Sequence, residues 1–157
     1  MFLDTPIGFL RIEASDNGLT MVKKVDLPTS SNPGNDIVER CKVQLTEYFY
    51  RKRKKFDLPL DFQGRSEFMI SVWQALREIP YGTTTSYSGI ANKINNAKSV
   101  RAVGLANKYN PIAIIVPCHR VIGKSGALTG YFYGLDTKRD LLELENPAAY
   151  SKQGELF

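Results

Sequence analysis

Two residue types in this sequence carry covalent or proton-transfer chemistry, and they meet once: Cys118 is followed directly by His119, the single histidine of the 157-residue chain. A cysteine attacks as its thiolate, and an ordinary thiol with a pKa of about 8.5 is ionised to only a few per cent at neutral pH. A nearby imidazole takes that proton directly or through a water, and a carboxylate orients the imidazole. Successive side chains of a strand diverge, so the dipeptide points to a water-bridged arrangement in a turn rather than to direct contact. Taken alone, such a dipeptide is a coincidence more often than not. A metal site is not expected, because one histidine and two distant cysteines supply few soft ligands, with no Cys-x-x-Cys or His-x-x-x-His spacing.

The surrounding pattern places this dipeptide. Ile112-Ala113-Ile114-Ile115-Val116 reads as a short buried strand delivering Pro117-Cys118-His119-Arg120 into a turn, after which Val121-Ile122 resumes apolar character. Upstream, Ser66 is a helix cap for Phe68, Met69, Val72, Trp73 and Leu76, with a stop at Ile79-Pro80-Tyr81-Gly82. Tyr87, Ile90, Ala91 and Ile94 mark a short helix, Asn95-Asn96 a turn, and residues 99–109 a further helix ended by Asn110-Pro111. Two short helices joined by a brief turn suggest a helix-turn-helix. On the second, Val100, Val103, Gly104 and Asn107 form the packing face, and Arg101, Leu105 and Lys108 the outward one. A last helix over 137–145 packs through Leu141, Leu142 and Leu144 and is ended by Pro147.

Toward the N-terminus, Phe9–Ala14, Asp16-Asn17-Gly18 and Leu19–Val22 read as a β-hairpin, and residues 26–36 as loop. Ile37, Val38, Cys41, Leu45, Tyr48 and Phe49 recur at helical spacing, which makes Cys41 a buried structural thiol. The basic run Arg51–Lys55 closes this lobe as a solvated loop, and residues 58–64 form an extended connector. Domain boundaries are expected at 1–63, 64–147 and a tail at 148–157. With 43% apolar residues the chain can bury a core without disulfides, and the formal charge of +5 suits a polyanionic partner. No apolar run approaches a membrane span and residues 1–4 are no signal peptide, so a cytoplasmic protein without a membrane role is expected.

Ile115-Val116-Pro117-Cys118-His119-Arg120-Val121-Ile122 resembles the active-site signature of the O6-alkylguanine-DNA alkyltransferase family. Tyr81-Gly82 with Thr85-Ser86-Tyr87, Arg101-Ala102-Val103-Gly104 with Asn110-Pro111, and Gly130-Tyr131, Gly134, Lys138 and Leu141-Leu142-x-x-Glu145 are similar to its later segments. Thr5–Gly8 and Ser15–Leu19 are similar to its N-terminal strands, so the match runs in order along nearly the whole chain.

The resemblance implies an α+β fold: a small N-terminal ribonuclease-H-like lobe, then a helical lobe bearing a helix-turn-helix and the reactive cysteine. It implies irreversible, single-turnover transfer of a methyl or other alkyl group from O6-alkylguanine, and from O4-alkylthymine, in double-stranded DNA to Cys118. His119 would activate Cys118 through water, Glu145 would orient His119, and Asn110 would brace the turn before the cysteine. Arg101 would fill the gap left by the flipped base and Tyr87 would crowd its phosphate, with Asn96, Lys98, Lys108 and Lys124 as further DNA contacts. Tyr131, Val121, Phe132 and Tyr133 would form the base pocket, Tyr131 donating to the base. No cofactor or metal is implied, and a monomer is expected. Phe132 and Tyr133 stand where many members have small residues, and Ala113 replaces a proline of certain members, which bears on tolerance for large alkyl groups. Competing readings are a non-enzymatic alkyltransferase-like damage-binding protein, which would lack the cysteine, a helix-turn-helix regulator, and a turnover thiol hydrolase. Finally, Gln153, Leu156 and Phe157 at the C-terminus look like a sliding-clamp docking peptide, with residues 148–152 as tether.

Overall fold

The computed structural model describes residues 1–28, 34–123 and 131–150. The fold is α+β, and the chain divides into two compact units: Met1–Gly64 with Pro111–Ile115, and Arg65–Asn110 with Val116 onward.

In the first unit β1 (Phe2–Thr5), β2 (Gly8–Ala14) and β3 (Leu19–Val25) form an antiparallel sheet in sequence order. The β2–β3 hairpin closes where Asp16-Asn17-Gly18 was expected to turn, with Ile12 opposite Val22 and a bulge at Glu13/Ala14. Gly18 is required by close approach: a Cβ there would lie 2.7 Å from the backbone of Leu60. Helix α1 (Asp36–Phe49) starts at Asn35, whose side chain accepts from Val38 N–H. Its Val38, Cys41, Leu45 and Tyr48 are buried, as are Leu10, Ile12, Leu19 and Val22 of the sheet, and these side chains make the unit's core. Cys41 is fully buried, and burial pushes its thiol up to about 12, so it is an inert structural thiol.

The apolar run 112–116 is not the strand its composition predicts. Ile112 makes a single parallel bridge with Val22, and then Ile114 adopts φ +74° while Ile115 N–H donates to Ala113 O at 2.9 Å. This is a three-residue turn in the left-handed region, a strained conformation for a β-branched side chain. Hydrophobic content reports burial, and Ile112 to Val116 are all buried; it does not report the backbone reversal.

The second unit is helical. Ser66 accepts from Met69 N–H and starts α2 (Glu67–Arg77), a cap worth about 1 kcal/mol. After a two-residue strand β4 (Thr85–Ser86) come α3 (Tyr87–Lys93), a 3-10 turn (Ala97–Ser99) and α4 (Val100–Lys108), so the two predicted short helices are present. Asn95, at φ +58°, makes the reversal between them. Trp73 of α2 is fully buried and donates to Ala106 O at 2.9 Å, satisfying a carbonyl in the last turn of α4. β5 (Val121–Ile122) pairs in parallel with β4.

Two further expectations are corrected. On α4 the buried residues are Val103, Ala106 and Asn107; Val100 and Gly104, assigned to packing, are partly exposed and line a cavity instead. Helix α5 (Leu135–Glu145) ends at Asn146, but Pro147 opens a short helix α6 (Pro147–Tyr150) rather than a tether. Proline fits a first helical position, and Asn146 caps the turn by accepting from Ala149 N–H at 3.2 Å.

Candidate active site

Cys118, His119 and Arg120 form one 3-10 turn between Pro117 and β5, and all three are buried. Pro117 sits at φ −81° and ψ 64°, and Cys118 N–H donates to Val116 O at 2.8 Å, so a tight three-residue turn presents the cysteine. Two asparagines of the α4 end tie this turn down. Asn110 Nδ2 donates to Val116 O at 2.8 Å, and Asn107 Nδ2 reaches Cys118 O at 3.4 Å.

Burial pushes the Cys118 thiol up, and hydrogen bonds from the Asn110 and Tyr131 side chains and the charge of Lys138 oppose that shift. Tyr131 is itself held well above the usual phenol range, by burial and then by the negative charge of Cys118, so it keeps its proton and serves as donor to the sulfur. Lys138 is fully buried and donates to Val121 O at 2.6 Å. Burial lowers its pKa to about 8, against the pull of Cys118.

The imidazole faces a carboxylate. His119 Nε2 and Glu145 Oε2 are 2.7 Å apart, and neither side chain is exposed. Arg120 donates to the same carboxylate through Nε at 2.8 Å to Oε1 and Nη2 at 3.0 Å to Oε2, and Gly82 N–H approaches Oε1 at 3.4 Å. Burial acts to raise the Glu145 pKa, but His119 and Arg120 overcome it and hold the carboxyl well below the usual range. His119 Nδ1 has no hydrogen-bond partner among the described residues. The set of a buried thiol, an adjacent imidazole and an ionised carboxylate on that imidazole is what general-base activation of sulfur requires.

Beside it lies an open cavity of about 460 Å³ lined by Tyr87, Val100, Gly104, Lys108 and Tyr131. Its size suits a nucleobase-sized ligand. Tyr131 belongs to both the cavity wall and the cysteine's surroundings. Of the remaining predicted pocket residues, Val121 is fully buried and reaches the site through its carbonyl on Lys138. Phe132 is 53% exposed, and its ring meets Tyr133 edge-on at 5.1 Å, as Tyr133 meets Tyr131 at 5.6 Å. Tyr87 is half-buried at the start of α3, and Asn96, Lys98, Arg101 and Lys108 are exposed. Lys124 lies outside the described residues.

Sequence reasoning gave no role to Arg120 or Lys138 and assigned Asn107 to packing. The available signal was a cation inside the apolar stretch around Val116 and Val121, since a buried charge demands a partner. Among the described residues no cluster of three or more His, Cys, Asp or Glu side chains is placed to hold a metal ion, and no helix is long and apolar enough to cross a membrane.

Comparison with known proteins places this geometry. Residues 67–147 match the family model for the 6-O-methylguanine DNA methyltransferase DNA binding domain, and residues 1–62 match that for its ribonuclease-like domain. The methylated-DNA–protein-cysteine methyltransferase of Methanosarcina acetivorans is 49% identical over 90% of this chain and 94% of its own length. That of Methanosarcina mazei is 54% identical over 91% and 94%. The crystal structure of Mycobacterium tuberculosis OGT in complex with DNA superposes with a TM-score of 0.83 at 45% identity, covering 96% of this chain and 94% of that one.

Proposed function

The chain belongs to the 6-O-methylguanine DNA methyltransferase family and repairs DNA by alkyl transfer to a cysteine of its own, and on that premise we propose that Cys118 is the acceptor, with His119 as its base and Glu145 orienting the base. The observation that carries the assignment is the pairing of Cys118 with both halves of the required apparatus. Tyr131 links its sulfur to the cavity, and the adjacent His119 is hydrogen-bonded to Glu145 at 2.7 Å. The other thiol, Cys41, is held at about 12 by burial. Cys118 also stands where the non-enzymatic relatives were expected to lack a cysteine, in keeping with methyltransferase relatives.

In the reaction His119 takes the thiol proton, through a water if the two side chains do not meet. The sulfur lone pair then attacks the methyl carbon while the C–O6 bond breaks and its electrons pass to the guanine ring. The ring takes up a proton and leaves as ordinary guanine. The thioether offers water no leaving group, so one alkyl group per protein is the limit. O6-methylguanine lies inside the base stack, so the base must be extruded, at a cost of roughly a few kcal/mol. In this reading Arg101, exposed on α4, fills the gap, Tyr87 acts against the target phosphate, and Asn96, Lys98, Lys108 and Lys124 contact the backbone. O6-alkylguanine, with O4-alkylthymine as second substrate, is the expected lesion. The protein acts as a cytoplasmic monomer.

The C-terminal residues Gln153, Leu156 and Phe157 form a docking peptide for the DNA sliding clamp, which raises repair capacity on newly replicated DNA. They lie outside the described residues, and the support is the sequence pattern alone. Loss of clamp binding on deleting residues 153–157, with transfer to short oligonucleotides unchanged, tests this; equal clamp binding by both proteins defeats it.

The central test mixes the protein with an O6-methylguanine duplex and maps the methyl group by peptide mass spectrometry. A single methyl on Cys118, absent in Cys118→Ala while duplex binding persists, is expected. Several turnovers per protein, or transfer by Cys118→Ala, would sink the assignment.

A further inference from the structure

Glu145 receives more hydrogen bonds than holding one imidazole requires. Beyond His119 Nε2, its two oxygens accept Arg120 Nε at 2.8 Å and Nη2 at 3.0 Å, a bidentate pair buried with the imidazole. The guanidinium is in turn anchored: Nη1 donates to Ile79 O at 2.8 Å, and its carbon lies 5.7 Å from the centre of the Tyr81 ring. We propose that Arg120 is a positioning residue that fixes the resting proton of His119 on Nε2, leaving Nδ1 as the acceptor for the Cys118 proton. This rests on the roles of Cys118 and His119 given above.

The donors and acceptors around Glu145 decide where that proton rests. A carboxyl buried against a lone imidazole has two arrangements. As an anion it accepts Nε2–H; as a neutral acid it donates O–H to Nε2, and the imidazole proton then sits on Nδ1. Only the first leaves the imidazole able to take a proton at Nδ1. A guanidinium has donors and no acceptor, and its fork needs both carboxylate oxygens as acceptors. Oε2 is shared between Arg120 Nη2 and His119 Nε2, so an acid proton there would weaken the acceptor that Nη2 uses and forfeit the attraction of the guanidinium charge for the anion. On Oε1 it would oppose Arg120 Nε and the Gly82 N–H. Arg120 therefore removes the second arrangement. Nδ1, the nitrogen remote from Glu145, is the buried ring atom without a partner among the described residues. Among the described residues the other ionisable groups around the site are Tyr81 over the guanidinium, Cys118 itself, Tyr131 and Tyr133 before α5, and Lys138 on α5.

The chain has one histidine, so protein labelled with nitrogen-15 histidine gives one imidazole to read. At neutral pH and without DNA, the two-bond proton–nitrogen couplings identify which nitrogen holds the proton. Wild type is expected as the Nε2–H tautomer. Arg120→Met should populate the Nδ1–H tautomer and slow single-turnover methyl transfer at least about tenfold, part of the roughly 100- to 10,000-fold that general-base assistance supplies, with duplex affinity unchanged by anisotropy. Arg120→Met also strands a buried carboxylate, so Arg120→Lys is the second variant: it keeps the charge but not the fork, and should fall between wild type and Arg120→Met in both readouts. An Nδ1–H tautomer in wild type overturns the proposal. So does either folded variant that stays wholly Nε2–H or transfers at the wild-type rate. If Arg120→Met does not fold, the wild-type spectrum and Arg120→Lys decide. A wrong acceptor assignment shows itself separately, as methyl transfer by Cys118→Ala.

Discussion

Asn110 Nδ2 donates to Val116 O at 2.8 Å, and the same side chain hydrogen-bonds the Cys118 thiol. The chain leaves the second unit after Asn110 and re-enters it at Val116, so one amide ties the chain just past α4 to the turn that presents the sulfur. Asn110→Ala would take one of two donors from Val116 O, which keeps Cys118 N–H, at about 1 kcal/mol, and remove a donor that opposes the burial shift of the thiol. Methyl transfer should slow and the melting temperature should fall together. A variant that melts earlier yet reacts at the wild-type rate would confine Asn110 to structure.

Arg101 is exposed on α4 and has no place in the buried apparatus around Cys118. Its expected work is to stabilise the extruded base, which a free base does not need. Arg101→Ala should therefore slow repair of duplex DNA strongly and reaction with free modified base little. Equal losses on the two substrates would contradict that role.

Phe132 and Tyr133 continue a run of edge-on aromatic contacts from Tyr131, which lines the cavity. Free O6-benzylguanine should inactivate the protein poorly relative to its reaction with methylated DNA, and Phe132→Gly or Tyr133→Gly should speed the inactivation. Rapid stoichiometric inactivation of the wild type by the benzylated base would show that the aromatic bulk does not narrow the entrance.

Glu145 links stability to pH. Its folded pKa lies well below the ordinary carboxyl value of 4.5, so the unfolded state binds more protons as the solution is acidified. Its contribution is fully present above pH 4.5 and is lost as pH falls below that value. The melting-temperature gap between wild type and Glu145→Gln should be widest near neutrality and shrink in acid. A gap that grew on acidification would reverse the sign and the assignment with it.

Local rules made much of this protein legible before any coordinates. Ser66 caps a helix because its side chain satisfies an orphan N–H group in the first turn. The 9–14 and 19–25 segments pair because the residues between them accept a reversal. Residue type and resemblance likewise singled out Cys118, His119, Glu145 and Asn110. What escaped depended on partners remote in sequence. The 112–116 run reads as a strand by composition, and only the reversal at Ile114 makes it a single bridge followed by a turn. Val100 and Gly104 share a helical face with Val103, but the surrounding packing opens a cavity beside them. Arg120 acquires its meaning from Glu145, 25 residues onward, and Lys138 from the Val121 carbonyl, 17 residues back. The sequence by itself determined which groups can carry charge, protons and a nucleophile, because those are properties of side chains. Which nitrogen, carbonyl or carboxylate each one meets was decided by tertiary structure, because a buried charge is satisfied only by a partner that folding brings within about 3 Å.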